Sequence, residues 1–175
     1  SERRGFGDVM ADGWERLLEE LGPDARKYTV LYKGVTPVFD PRAILGSEAF
    51  GEITNPRGHE GPVSITVIPG RSPQTIARYM KRIGAPDDAV ERAFANNKFN
   101  VAVYTKYTED WLYALDCLGV CRREGVVRFY TIETCAELYS AATGIEVSPQ
   151  DVRRAGERAW KLERAHNQLE GGAAF

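Results

Sequence analysis

Asn100-Val-Ala-Val-Tyr-Thr-Lys-Tyr-Thr-Glu-Asp-Trp-Leu-Tyr-Ala-Leu115, running on into Asp116-Cys-Leu-Gly-Val-Cys121, is the stretch that decides the fold. Val103, Tyr104, Tyr107, Trp111, Leu112 and Leu115 recur at three- and four-residue steps, which predicts an amphipathic helix with one apolar face. Gly119 breaks that helix, and a cysteine-bearing turn follows. Two more helices are predicted downstream, over about 132–143 with Gly144 as C-cap and about 149–170 with Ser148 as N-cap and Asp151 in the first turn.

Working back from the same stretch, Ser72-Pro73 offers an N-cap followed by proline at the first helical position, with Gly84 as the stop, and Pro86 opens a further short helix. Between Gly34 and Pro73 glycine and proline are so frequent that the segment reads as loop with short ordered pieces, and a loop of that length in a compact domain is usually functional. Tyr28-Thr-Val-Leu-Tyr32 reads as a short strand, and Ser64-Ile-Thr-Val-Ile68 alternates as a second one would. From Phe6 to Leu21, Val9, Met10, Trp14, Leu17, Leu18 and Leu21 mark one helical face, ended by Gly22-Pro23. The expected fold is therefore mainly α, a helical bundle with an irregular Gly/Pro-rich N-terminal lead-in and at most one or two short strands.

With 175 residues, 43% hydrophobic and 27% charged, the chain can bury one sizeable core. Lys plus Arg number 23 against 25 Asp plus Glu, and a net charge of -2 gives no basis for expecting nucleic acid or a membrane surface as partner. No apolar run approaches the roughly 20 residues that span a bilayer, and Ser1-Glu-Arg-Arg-Gly-Phe-Gly7 lacks the apolar core of a secretory signal. Three cysteines, an odd number in a chain that needs no disulfide staples, fit a reducing compartment. A soluble cytoplasmic protein is the expectation. The abrupt helical start and the ending Gly-Gly-Ala-Ala-Phe175 further suggest a piece of something longer.

Asp116-Cys117-Leu118-Gly119-Val120-Cys121 sets a carboxylate, a helix-breaking glycine and a thiol at one helix end. Spacing alone leaves a plain reading open, because buried cysteines act as small hydrophobes and an Asp at a helix end often only satisfies backbone groups. A zinc site needs four N or S ligands, and three cysteines with two histidines and no Cys-x2-Cys pair supply it poorly. A cubane iron–sulfur cluster needs four thiolates and meets the same shortage. Neither site closes within this chain.

Read with its neighbours, the segment resembles the Asp-x-x-Gly-Leu-Cys motif of the aldehyde ferredoxin oxidoreductase family, preceded as there by a helix carrying Lys106 and Glu109-Asp110. Glu137-Leu-Tyr-Ser-Ala-Ala-Thr-Gly144 and Ala155-Gly-Glu-Arg-Ala-Trp-Lys-Leu-Glu-Arg-Ala-His-Asn167 resemble the family's two closing helices. Tyr32-Lys-Gly-Val-Thr-Pro-Val-Phe-Asp-Pro-Arg42 and Asn55-Pro-Arg-Gly58 resemble its entry into the third domain. The resemblance implies that residues 1–40 end the family's middle domain and 41–175 form its third, C-terminal helical domain.

By the same resemblance the parent is an oxidoreductase that interconverts aldehydes and carboxylic acids and passes electrons to ferredoxin or another electron-transfer subunit. Its cofactors would be a tungsten (or molybdenum) bis-pterin and one 4Fe-4S cluster, with a small-molecule substrate, no nucleic acid or membrane partner, and an oligomeric state left open. Cys121 would be the metal ligand from this motif, the family's other three cluster cysteines lying in a Cys-x-x-Cys-x-x-x-Cys run that the chain lacks. Cys117 stands where serine is common and is read as a non-ligand, and Cys135 as core. Asp116 would accept a pterin's amino and ring N–H edge bidentately, with Leu118, Gly119 and Val120 offering backbone amides and Gly119 allowing close approach.

His59 falls near the family's proposed proton-donating histidine, a role its ordinary pKa suits, although the spacing from Gly58 is about two residues short of the pattern. Trp160 and Leu162 read as core, His166 as structural, and Glu157, Arg158, Glu163 and Arg164 as a solvated charged face. Two alternatives stay open at this point: an aromatic reductase on the same fold, similar to class II benzoyl-coenzyme A reductases, and a cofactor-free helical binding module. The fragment alone is not expected to be active.

Overall fold

A computed structural model describes residues 4–31, 36, 47–57, 71–122 and 130–171. Its element order is α1 (Phe6–Ala11), α2 (Trp14–Leu21), α3 (Pro23–Tyr28), α4 (Ser47–Thr54), α5 (Pro73–Arg82), α6 (Asp87–Ala93), a short 3-10 turn (Ala95–Asn97), α7 (Val101–Cys117), α8 (Ile132–Thr143) and α9 (Pro149–Leu169). The described residues contain helices and no strand, so the mainly α expectation holds.

Helix boundaries follow local chemistry. The side chains of Ser72, Asn100, Thr131 and Ser148 each accept a hydrogen bond from a backbone N–H in the first turn of α5, α7, α8 and α9. At α9 the cap is reciprocal: the Asp151 N–H donates to the Ser148 hydroxyl at 3.2 Å, and the Ser148 N–H donates to the Asp151 carboxylate at 2.9 Å. Gly144 ends α8 in the left-handed conformation, as its position predicts.

α7 is the axis of the bundle. α9 runs along it, α4 lies against another side, α5 and α6 pack on it as well, and α8 packs on α9. The sequence suggests an amphipathic α7, but residues on every side of it are buried, from Tyr104 and Thr105 through Thr108, Glu109 and Asp110 to Leu115. Polar side chains had marked one face as wet; neighbouring helices cover that face too. The core gathers Met80, Ile83, Ala89, Trp111, Leu112, Leu115 and Ile132. α9 approaches α7 closely because Gly156 faces the α7 backbone: a Cβ there would stand 2.0 Å from the Asp110 carbonyl oxygen.

Several expectations are corrected. The helix over Phe6–Leu21 is two helices, since Gly13 at φ 92° turns the chain between them. Their apolar residues are largely exposed, apart from buried Leu18, and α1–α3 pack chiefly on one another. The first predicted strand is replaced at its start by α3, where Pro23 sits at the first helical position; Tyr28 closes that helix and Thr29 leaves it in extended conformation. Residues 64–68, the second candidate strand, lie outside the described residues. Leu162 is 73% exposed on the outer side of α9 and Trp160 only half-buried.

Candidate functional site

The end of α7 is a tight, fully bonded turn. Gly119 adopts φ 68°, its N–H donates to the Asp116 carbonyl at 3.0 Å, and the Val120 N–H reaches back to the Leu115 carbonyl at 2.9 Å. This is the double bond pattern by which a left-handed residue terminates a helix. With Leu118 N–H also bonded to the Ala114 carbonyl at 3.1 Å, all three backbone amides expected to face a ligand already donate within the turn. Gly119 is therefore required by its backbone angle. Among the described residues nothing stands within 4 Å of where a Cβ would be, so that side of the turn is open with respect to them.

Asp116, in the last turn of α7, is gripped by two arginines from opposite directions in sequence. Arg57 donates from Nη1 to Oδ2 at 2.6 Å. Arg122 donates from Nε to Oδ1 at 2.8 Å and from Nη2 to Oδ2, a bidentate fork across the carboxylate. Partial burial pushes the Asp116 carboxyl up, but the Arg122 and Arg57 guanidiniums outweigh it and hold the group below the usual carboxylate range. Asp116 is thus a fixed anion at neutral pH.

Arg57 is itself anchored. Its Nε donates to both oxygens of Glu163 on α9, at 3.1 and 2.8 Å, and its guanidinium carbon lies 4.5 Å from the centre of the Tyr113 ring. The backbone beneath it is held as well. Arg57 N–H donates to the buried Asn55 side chain at 2.8 Å, Asn167 on α9 donates to the Pro56 carbonyl at 2.7 Å, and Arg164 donates to the Thr54 carbonyl at 3.4 Å. The charged face expected on α9 is solvated only in part. Glu157 pairs with Arg153 and Lys161 one turn away, as the spacing suggests, whereas Glu163 and Arg164 hold the 54–57 loop.

Cys117 and Cys121, on the two flanks of the turn, are exposed, and Cys135 is buried, its thiol pushed up by that burial. Among the described residues no group of three or more His, Cys, Asp or Glu side chains could hold a metal ion. His59 lies outside the described residues. His166 is exposed near the end of α9, 3.9 Å from Glu170. The structure thus brings Asp116, Leu118, Gly119, Val120 and Cys121 onto one turn and adds Arg57, Tyr113, Arg122 and Glu163. Sequence signals for this second group are faint: Asn55-Pro-Arg57 suggests an anchored loop, but nothing local pairs it with Glu163.

A second polar feature lies about two helical turns back along α7. Glu109, 4% exposed, faces the Thr54 hydroxyl at 3.4 Å, the Asn55 amide and the Trp160 indole. Burial pushes its carboxyl up to about 7, against the opposing hydrogen bond from the Thr54 hydroxyl. With Asp110, which Lys106 Nζ contacts at 2.5 Å, it lines a cavity of about 200 Å³ between α4, α7 and α9. No helix among the described residues is long and apolar enough to cross a membrane.

Residues 1–174 match the family model described as aldehyde ferredoxin oxidoreductase, domains 2 and 3. The tungsten-containing aldehyde ferredoxin oxidoreductase of Pyrococcus furiosus is 27% identical over 175 residues, an alignment covering 98% of this chain and 25% of that protein. The proteins of the same name from Pyrococcus abyssi and Pyrococcus horikoshii are each 26% identical with the same coverage. The chain thus spans about a quarter of the length of the curated relatives it matches. No solved structure matches it significantly.

Proposed function

Because the chain belongs to the aldehyde ferredoxin oxidoreductase family, we propose that it is the C-terminal part of a tungsten-pterin oxidoreductase interconverting aldehydes and carboxylic acids, with ferredoxin or a similar carrier as electron partner. Residues 1–40 end the middle domain in this reading, and 41–175 form the third. The observation that carries it is the Asp116 carboxylate, held ionised by two arginines on the same rigid turn as the exposed Cys121 thiol.

The residues fit part of each group. A pterin presents an amino and a ring N–H side by side, and an oriented, permanently ionised carboxylate is the acceptor such an edge needs. Since the amides of 118–120 are used within the turn, recognition falls to Asp116, and the turn contributes its shape and the open side of Gly119. For a 4Fe-4S cluster the chain supplies one corner, Cys121; the sequence holds only three cysteines and Cys135 is buried, so the remaining thiolates come from elsewhere in the protein.

When bound, the tungsten-pterin supplies two-electron exchange with the substrate carbon, and the cluster hands those electrons on singly. This chain's own part would be to orient and hold: Asp116 would accept the pterin edge and Cys121 would ligate the cluster, both carried on the turn that ends the buried helix α7. His59 is the residue assigned to proton transfer at the substrate. The reading places the protein in the cytoplasm and leaves its substrate pocket to the rest of the protein.

Metal and pterin analysis of the natural-length protein, purified without oxygen, tests the proposal. Tungsten with about four irons per chain supports it; neither metal in a full-length preparation overturns it. Cys121→Ala is expected to lower iron and remove the paramagnetic signal of the reduced cluster, and unchanged iron sinks the ligand assignment. Asp116→Ala is expected to lower tungsten and pterin more than iron, and equal retention of both makes Asp116 a structural residue only.

A further inference from the structure

The two arginines on Asp116 are built differently. Arg57 reaches the carboxylate sideways with a single Nη1–H on Oδ2, while its Nε is engaged by Glu163 and its plane lies against Tyr113. Its loop is pinned through Asn55, Pro56 and Thr54 to α9 and to its own turn. Arg122 instead spends two N–H donors on Asp116, Nε on Oδ1 and Nη2 on Oδ2, and stands farther from the Tyr113 ring, at 5.8 Å. It covers the whole carboxylate edge.

A carboxylate edge accommodates one planar two-donor fork at a time, because the inner, facing lone pair of each oxygen is taken by the first. The guanidinium fork of Arg122 and the amino plus ring N–H edge of a pterin have the same donor–donor pattern. They compete for the same two atoms. A sideways single donor such as Arg57 Nη1 uses the outer lone pair of Oδ2 and can stay when the fork is exchanged.

We propose that the arginines divide the work on Asp116: Arg57 is a positioning residue that stays, and Arg122 is the exchangeable occupant of the carboxylate edge, displaced when a planar ligand with two adjacent N–H donors binds. The choice of a pterin as that ligand rests on the function proposed above; the exchange itself rests only on Asp116 and its two partners. Arg122 acts as an internal competitor that keeps the edge paired until a ligand arrives.

Two probes separate these claims in the natural-length protein prepared free of cofactor: pterin itself, followed by fluorescence, and benzamidine, a planar amidinium with two parallel donors, followed by calorimetry. Arg122→Gln is expected to raise affinity for both probes by up to about fivefold, the factor that corresponds to a partly exposed ion pair. Arg57→Gln is expected to lower affinity for both, Arg57→Lys to restore part of it, and Asp116→Asn to abolish binding in every background. Should Arg57→Gln fail to fold by circular dichroism, the comparison of Arg57→Lys with Arg122→Lys carries the same contrast. Gain for benzamidine with none for pterin keeps the exchange and overturns the pterin reading. No gain for either probe in Arg122→Gln, or an equal gain in Arg57→Gln, overturns the proposal.

Discussion

Replacing Gly156 by alanine tests the packing on which the site depends. In an exposed helix this change stabilises by about 1 kcal/mol, because alanine is the better helix former. Here the new Cβ would stand 2.0 Å from the Asp110 carbonyl oxygen and 2.8 Å from the Ala114 nitrogen, both backbone atoms of α7 that no rotamer change can move. A carbon–oxygen contact settles at about 3.3 Å, so α9 must retreat by roughly 1 Å. A gap of that size forfeits a quarter to a half of the dispersion attraction along the seam, and overpacking a core costs about 1–3 kcal/mol, with rigid backbone neighbours at the upper end. The net expectation is destabilisation by about 2 kcal/mol, which lowers the Tm of a chain of this size by about 4–8 °C. Calorimetry or far-UV circular dichroism of the two proteins measures it. A Tm that is unchanged or higher means that helix propensity prevails and that α7 and α9 are not in backbone contact at this point.

Glu109→Gln reports on the buried acid. Its carboxyl sits at about 7 in the folded chain against an ordinary 4.5, so between those values the folded state holds a proton that the unfolded state has lost, and stability falls as pH rises through that window. The full loss is about 3 kcal/mol, and the glutamine variant is expected to be the more stable protein at pH 8, with the difference from the parent shrinking towards pH 4.5; a difference that does not vary with pH refutes the burial argument. Ser148→Ala removes the hydroxyl half of the α9 cap, leaving the backbone N–H bond to Asp151, and is expected to cost about 1 kcal/mol, or about 2–4 °C in Tm, with no loss at all counting against the cap. A thiol-reactive dye added to the native protein is expected to label Cys117 and Cys121 quickly and buried Cys135 only on unfolding; three fast thiols contradict the placement of α8.

Where a boundary is set by neighbours in the chain, sequence reading reaches it. Ser72, Ser148 and Gly144 act where the sequence places them, because a cap is a bond between residues only a few positions apart. The Asp116 to Cys121 turn was legible for the same reason. The α1–α2 break was missed because apolar periodicity continues across Gly13, and Leu162 was misplaced because a helix this long has more apolar positions than its buried stripe needs. The arginines around Asp116 lie further out of reach. Charge patterning along α9 predicts pairs one turn away, and nothing in a run of charges distinguishes Glu157, which makes such pairs, from Glu163, which does not.

Arg57 and Glu163 are 106 residues apart in the chain. At a synthesis rate of about 5–20 residues per second, the partner of Arg57 is made roughly 5–20 s after Arg57 itself. For the later part of that interval the Asp116 motif is already translated, 59 residues after Arg57, yet the arm that steadies it from the other side still lacks Glu163 and α9 to lean on. The anchoring of Arg57 beside the turn is thus timed by α9. A nascent or clipped chain lacking α9 has the self-bonded turn without the Glu163 anchor that holds Arg57 against Asp116.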